Sequence, residues 1–208
     1  MKIGGNQKAG RISTPTTTNH YGIDYSMTSP GICFAQVPAN EPFHLDHCTF
    51  YFATGNKKNQ GIISDRIYGF LFTEDDWSSC EDRFDKLSSW ALSNIAHPSR
   101  ISSLCIEGYA MGAKGQVFHI GECGGILKHK LWKEGYTFDL IPPTTVKKFG
   151  CGKGNGNKDV MYEAFYKETS YDLKSKFVLK SNPVSDLVDA FYLCKYGWDK
   201  WKGEQNRN

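Results

Sequence analysis

The sequence predicts one α/β domain built on a five-stranded mixed sheet, three antiparallel strands followed by two parallel ones, flanked by helices. Three observations support this. Between Tyr21 and Ala53 lie three runs of β-branched and aromatic residues separated by short Pro- and Gly-containing turns. Beyond Thr73, segments of helical period alternate with short apolar runs, the order expected of crossover connections. The chain has 208 residues and an ordinary globular composition, enough for one domain, or at most two, with a substantial core.

Bulk properties exclude several classes. The net charge of +3 does not by itself point to nucleic acid. The seven cysteines (33, 48, 80, 105, 123, 151 and 194) are odd in number and form no CxxC, which predicts reduced thiols and a cytoplasmic location. No apolar run approaches the roughly 18 residues of a spanning helix, and the first residues lack an apolar signal core.

In chain order, residues 1–19 read as a disordered tail carrying Lys2, Lys8 and Arg11, ahead of a folded domain over 20–198 and a polar tail over 199–208. The first strand is Tyr21–Ser26, turned at Ser29-Pro30-Gly31 into a second over Ile32–Val37; His47–Ala53 is the third. Ile62-Ile63 and Tyr68–Phe72 fit either a further strand or an inserted hairpin. Thr73 or Asp75 caps a helix through Trp77, Phe84, Leu87 and Trp90 that ends near His97-Pro98. Ser102–Glu107 is a buried strand, parallel to the first by a right-handed crossover.

A glycine-rich loop then leads to a helix from Val117 through Lys133, whose Gly121, Gly124 and Gly125 suit close packing on the sheet. Thr137–Ile141 is the fifth strand, stopped by Pro142-Pro143. A short helix carries Val146 and Lys147, and Lys158 opens the next one. The last helix starts at Pro183, with Ser181 or Asn182 as cap and Val184, Leu187, Val188, Phe191 and Tyr192 facing a core.

That last helix carries Asp186 and Asp189 on one face of an otherwise apolar segment, where unpaired charge is costly. Asp24 and Glu107 end two strands expected to be neighbours. Four acids converging from separate elements suit two Mg²⁺ ions, or Mn²⁺ in their place, because hard cations prefer oxygen ligands. Between Thr144 and Lys180 eight lysines stand against four acids, a local excess that suits a phosphate track. His44-Leu45-Asp46-His47-Cys48 lacks a second ligand pair for zinc, and Gly152–Gly156 lacks the GK[ST] ending of a nucleotide loop.

Together these motifs resemble the RuvC-type Holliday-junction resolvases of the RNase H-like superfamily. The resemblance covers about residues 20–198 and rests on Gly22-Ile23-Asp24, Ile106-Glu107, the Gly121/Gly124-Gly125 helix, Pro142 with Val146-Lys147, Gly154-x-Gly156-x-Lys158, and Asp186-x-x-Asp189-Ala190. Lys147 and Lys158 keep the eleven-residue spacing of that family's two DNA-contacting lysines. The resemblance implies an RNase H-like fold and a Mg²⁺-dependent endonuclease that resolves four-way junctions as a homodimer. It makes Asp24, Glu107, Asp186 and Asp189 the metal-binding catalytic acids, with Lys158 beside them. Lys147, Lys148, Lys153 and Lys158 would contact DNA, together with Tyr109 and Lys114 on the loop after Glu107. The long segments at 54–95 and between Lys158 and Asp186 resemble phage-encoded members more than cellular ones.

Overall fold

The computed structural model describes residues 17–109, 117–177 and 182–207. Seven strands and five α-helices follow in the order β1 (Thr17–Asp24), β2 (Gly31–Pro38), β3 (Cys48–Thr54), β4 (Gly61–Ser64), β5 (Ile67–Leu71), α1 (Cys80–Ser93), β6 (Ser103–Glu107), α2 (Val117–Lys133), β7 (Asp139–Ile141), α3 (Pro143–Cys151), α4 (Lys158–Thr169) and α5 (Val184–Gln205). One mixed sheet has the order β4-β5-β3-β2-β1-β6-β7. Among the described residues no helix is long and apolar enough to cross a membrane.

β1 is the strand around which the layers assemble. It pairs with β2 antiparallel and with β6 parallel, so that Ile23 lies opposite both Ile32 and Ile106. Helices α3, α4 and α5 cover one face of the sheet, burying Phe50, Phe165, Leu187 and Phe191. Helices α1 and α2 cover the other, over Tyr21, Ile23, Leu104 and Ile106. Residues Tyr21 to Asp24 are buried without interruption, as expected of a strand enclosed on both faces.

Helix α5 lies hard against β1. A side chain on Gly22 would come within 2.2 Å of the Ala190 carbonyl and the Cys194 amide, so only glycine admits this approach. One turn earlier, the Asp186 carbonyl would lie 2.9 Å from a Cβ on Gly31, the residue paired with Asp24. The start of α5 is thereby fixed over the C-terminal end of β1.

The structure corrects several expectations. The sheet has seven strands, not five, because a hairpin of β4 and β5 is added beside β3. β5 runs parallel to β3 and antiparallel to β4, covering a strand edge that would otherwise present unpaired backbone groups. Thr73 caps a short 3₁₀ turn over Glu74–Asp76, and α1 itself starts at Cys80 with Ser79 as its cap. Strand β1 begins at Thr17, inside the expected tail; residues 1–16 lie outside the described residues. Similarly, α5 runs on to Gln205 through most of the expected C-terminal tail, held by Trp201 against His20 with ring centroids 5.4 Å apart. Pro183 occupies the N-cap of α5 with no side-chain cap bond, and Ser181 lies outside the described residues.

The glycines of α2 also play a different part. Cys123, Leu127 and Leu131 face inward, whereas a Cβ added at Gly121 or Gly125 would meet nothing within 4 Å among the described residues. Gly124 instead seats the ring of Tyr109: a Cβ in its place would lie 3.0 Å from the tyrosine hydroxyl. The exposed side of this helix also carries Phe118 and Trp132, 83% and 70% exposed.

Candidate active site

Asp24 and Glu107 are the last residues of two adjacent parallel strands. Parallel strands carry such residues to the same edge of a sheet, where the following loops leave room for a substrate. From the opposite direction, α5 brings Asp186 and Asp189 to that edge, one helical turn apart. Asp24 and Asp186 are 9% and 8% exposed, so neither charge is dispersed by bulk water.

The four acids respond to one another. Burial pushes Asp24 well above the usual carboxylate range, and the charges of Glu107, Asp186 and Asp189 push it further. Glu107 is raised by burial too, but its hydrogen bond with Asp24 and the nearby charge of Lys147 act against this. Asp189 is raised to about 7, by burial first and then by Glu107 and Asp186, with Lys147 and Lys158 opposing. Asp186 is raised by burial and held down by hydrogen bonds from Ser29 and Ser185 and by Lys158.

Two cations face this negative cluster. Lys147 follows the buried Val146 on α3, a helix that begins directly after β7. Lys158 is the first residue of α4, capped by Asn157, whose side chain accepts from the Val160 amide at 3.0 Å. The Lys158 Nζ donates to Ser185 Oγ at 3.2 Å and lies 3.4 Å from Asn182 Oδ1. Ser185 Oγ in turn lies 3.1 Å from Asp186 Oδ1. Lys158 thus reaches the acids through a serine.

Oxygen-only donors, raised first by burial and, for Asp24, Glu107 and Asp189, also by neighbouring acids, form a set that a hard divalent cation would relieve. The residues present fit such a group by their chemistry. As they stand, no three His, Cys, Asp or Glu side chains among the described residues converge tightly enough to hold one. Asp186 is oriented by protein partners instead, accepting from two serines.

The other sequence candidates lie further out. Lys148 and Lys153 are exposed, and neither appears among the charges that shift the four acids. Tyr109 lies across α2, its hydroxyl donating to the Gly121 carbonyl at 3.2 Å and Lys128 Nζ 4.5 Å from the centre of its ring. Lys114 lies outside the described residues. Tyr109 borders a cavity of about 650 Å³ that opens onto Asp24 and Glu107 and is lined by Tyr25, Met27, Cys123 and Leu127. His44 and His47 pair with Asp46 and Glu41, as loop residues do. Sequence reasoning missed Ser29 and Ser185; serines show no periodicity, and the available signal was a Ser26-x-x-Ser29-Pro30-Gly31 turn soon after a candidate acid.

No family model matches the sequence, and no curated protein is similar enough to match. Solved structures do match. The structure of Thermus thermophilus RuvC shares 14% identity at a TM-score of 0.55, covering 89% of this chain and 95% of that one. T. thermophilus RuvC in complex with Holliday junction substrate shares 13% identity at a TM-score of 0.58, covering 89% of this chain and 96% of that one.

Proposed function

Starting from the RuvC-type fold that these neighbours establish, we propose that the chain is a metal-dependent, structure-selective endonuclease that resolves four-way DNA junctions by paired nicks. The observation that carries the proposal is the meeting of four acids, Asp24 and Asp186 buried and Glu107 and Asp189 half-buried, with two lysines at the C-terminal edge of β1 and β6. A protein that only bound DNA would gain nothing from a negative cluster placed beside phosphates.

In this reading Asp24, Glu107, Asp186 and Asp189 hold two Mg²⁺ ions, or Mn²⁺ in their place. When bound, the ions activate water and compensate charge on the departing oxygen of a phosphodiester. The acids fix where the strand can be attacked. Lys147 and Lys158 contribute positive charge toward the phosphates on either side and keep the strand in register. Lys148, Lys153, Tyr109 and Lys114 contact the arms further out. The products carry 5′-phosphate and 3′-hydroxyl ends. Paired nicks need two sites, hence a homodimer. The exposed face of α2, with Phe118 and Trp132, offers an apolar surface for that pairing.

The test is a panel of labelled four-way junctions, three-way branches, flaps and plain duplex, each with Mg²⁺ or with EDTA. Paired, metal-dependent nicks at the crossover support the proposal. Preferred cutting of flaps or three-way branches would keep the chemistry and replace the substrate. Binding of junctions without metal-dependent cleavage of any branched DNA would overturn the enzyme reading.

A further inference from the structure

Ser29 stands in the turn between β1 and β2, five residues after Asp24, and is 7% exposed. Its hydroxyl donates to Asp186 Oδ2. On the other side of the same carboxylate, Ser185 Oγ lies 3.1 Å from Oδ1. An ionised carboxylate has about two lone-pair directions on each oxygen. One hydroxyl on each oxygen therefore fixes the plane of the group and leaves one direction on each free to face outward.

The turn that places Ser29 is itself braced at three points. The Ser29 amide donates to Ser26 Oγ at 3.0 Å. Arg83 of α1 donates to the Met27 carbonyl, and its guanidinium lies 4.6 Å from the centre of the Trp77 ring. Gly31, where the turn enters β2, is pressed on the Asp186 backbone. Ser29 therefore approaches Asp186 from a rigid support, and that support begins at Asp24.

Ser185 is less well placed to do this alone. Its single hydroxyl hydrogen is divided between Asp186 Oδ1 and Asn182 Oδ1, 3.0 Å away, while Lys158 donates to its oxygen. In contrast, the hydroxyl of Ser29 has one acceptor among the described hydrogen bonds.

We propose that Ser29 is a positioning residue for metal binding: it ties the orientation of Asp186 on α5 to the strand end that carries Asp24, so that the two acids present their free oxygens together. This rests on the nuclease reading above. Ligand-orienting partners of this kind typically change metal affinity by about 10–100-fold when removed.

The test compares wild type, Ser29→Ala, Ser29→Thr and Ser185→Ala. Mn²⁺ binding to the DNA-free protein is followed by electron paramagnetic resonance, thermal unfolding is measured in EDTA, and junction cleavage is measured against metal concentration. Ser29→Ala is expected to weaken Mn²⁺ binding about 10–100-fold and to raise the metal concentration needed for half-maximal cleavage to match. Its unfolding temperature in EDTA and its junction affinity should stay near wild type, and Ser29→Thr should restore metal binding. Ser185→Ala should have the smaller effect. Wild-type Mn²⁺ affinity in Ser29→Ala would overturn the proposal. So would a loss that Thr does not restore and that comes with a lowered unfolding temperature in EDTA, since that marks a purely structural role. Failure of the wild-type protein itself to bind Mn²⁺ or cut branched DNA would overturn the nuclease reading instead.

Discussion

Removing one charge from the acid cluster should stabilise the metal-free protein, although it destroys a candidate ligand. Asp189 is the clearest case, because its carboxyl is raised from 3.8 to about 7. For an acid with a raised folded pKa, the folded state binds the extra proton between the two values. Stability is therefore greatest below the unfolded value and falls as pH rises through about 7. The difference of about three pH units corresponds to about 4 kcal/mol at pH 8 as an upper value, and to about 2 kcal/mol if local relaxation absorbs half. Asn cannot titrate, so Asp189→Asn escapes this penalty. Thermal unfolding in EDTA at pH 8 should show the variant above wild type by several degrees, at roughly 2–4 °C per kcal/mol for a chain of this size. At pH 5.5 the gap should shrink to about half, because the wild-type carboxyl is already protonated in the folded state. Saturating Mn²⁺ should reverse the order by stabilising wild type through binding while leaving the variant nearly unmoved. A variant less stable than wild type at pH 8 in EDTA, or a gap independent of pH, would refute the reasoning.

Other consequences follow from the same structure. Lys158→Ala should slow single-turnover junction cleavage by about 10²–10³-fold, the scale of a lost transition-state donor, with junction affinity changed less than threefold; an unchanged rate removes Lys158 from the site. Gly22→Ala should destabilise the fold by about 3 kcal/mol or more, because a methyl group cannot enter a gap of 2.2 Å without moving α5; denaturant unfolding measures this, and a loss under about 1 kcal/mol would contradict the packing. His20 is lowered from 6.5 to about 4 by burial, so the unfolded chain takes up a proton that the folded protein refuses. Its contribution to stability is complete above pH 6.5 and falls by about 2–3 kcal/mol as pH drops toward 4. The acids of the site act in the opposite sense over this range, so the loss is read as the difference between wild type and His20→Asn from pH 7 to 4.5; parallel curves would refute it.

The parts of the molecule most legible in the sequence were those where charge interrupts an apolar pattern. Asp24 after Ile23, Glu107 after Ile106 and the two aspartates of α5 stood out because each ends or breaks a buried run, and the structure brings all four to one edge. Helix α2 was legible to its C-terminal end at Lys133, because its inward positions keep the helical period. The β4–β5 hairpin was harder to read. Ile62, Tyr68 and Phe70 are apolar residues at exposed positions, so the apolar/polar alternation that marks a half-buried strand is missing there. Beyond residue 198, α5 looked like a polar tail because it is held there by separate residues, Lys200 on Asp139 and Trp201 on His20, rather than by an apolar stripe. The role of Gly124 depended on Tyr109, fifteen positions away, which no local pattern encodes. Ser29 belongs to the same class: what it does depends on a residue 157 positions later.

The most direct test of the central claim is cleavage of a labelled four-way junction by wild type and by Asp186→Asn, in Mg²⁺ and in EDTA. Wild type should place paired nicks with 5′-phosphate ends in Mg²⁺ only, and the variant should bind the junction equally well without cutting it. Cleavage by the variant at the wild-type rate would show that the acids gathered at the end of β1 are not the site of the chemistry.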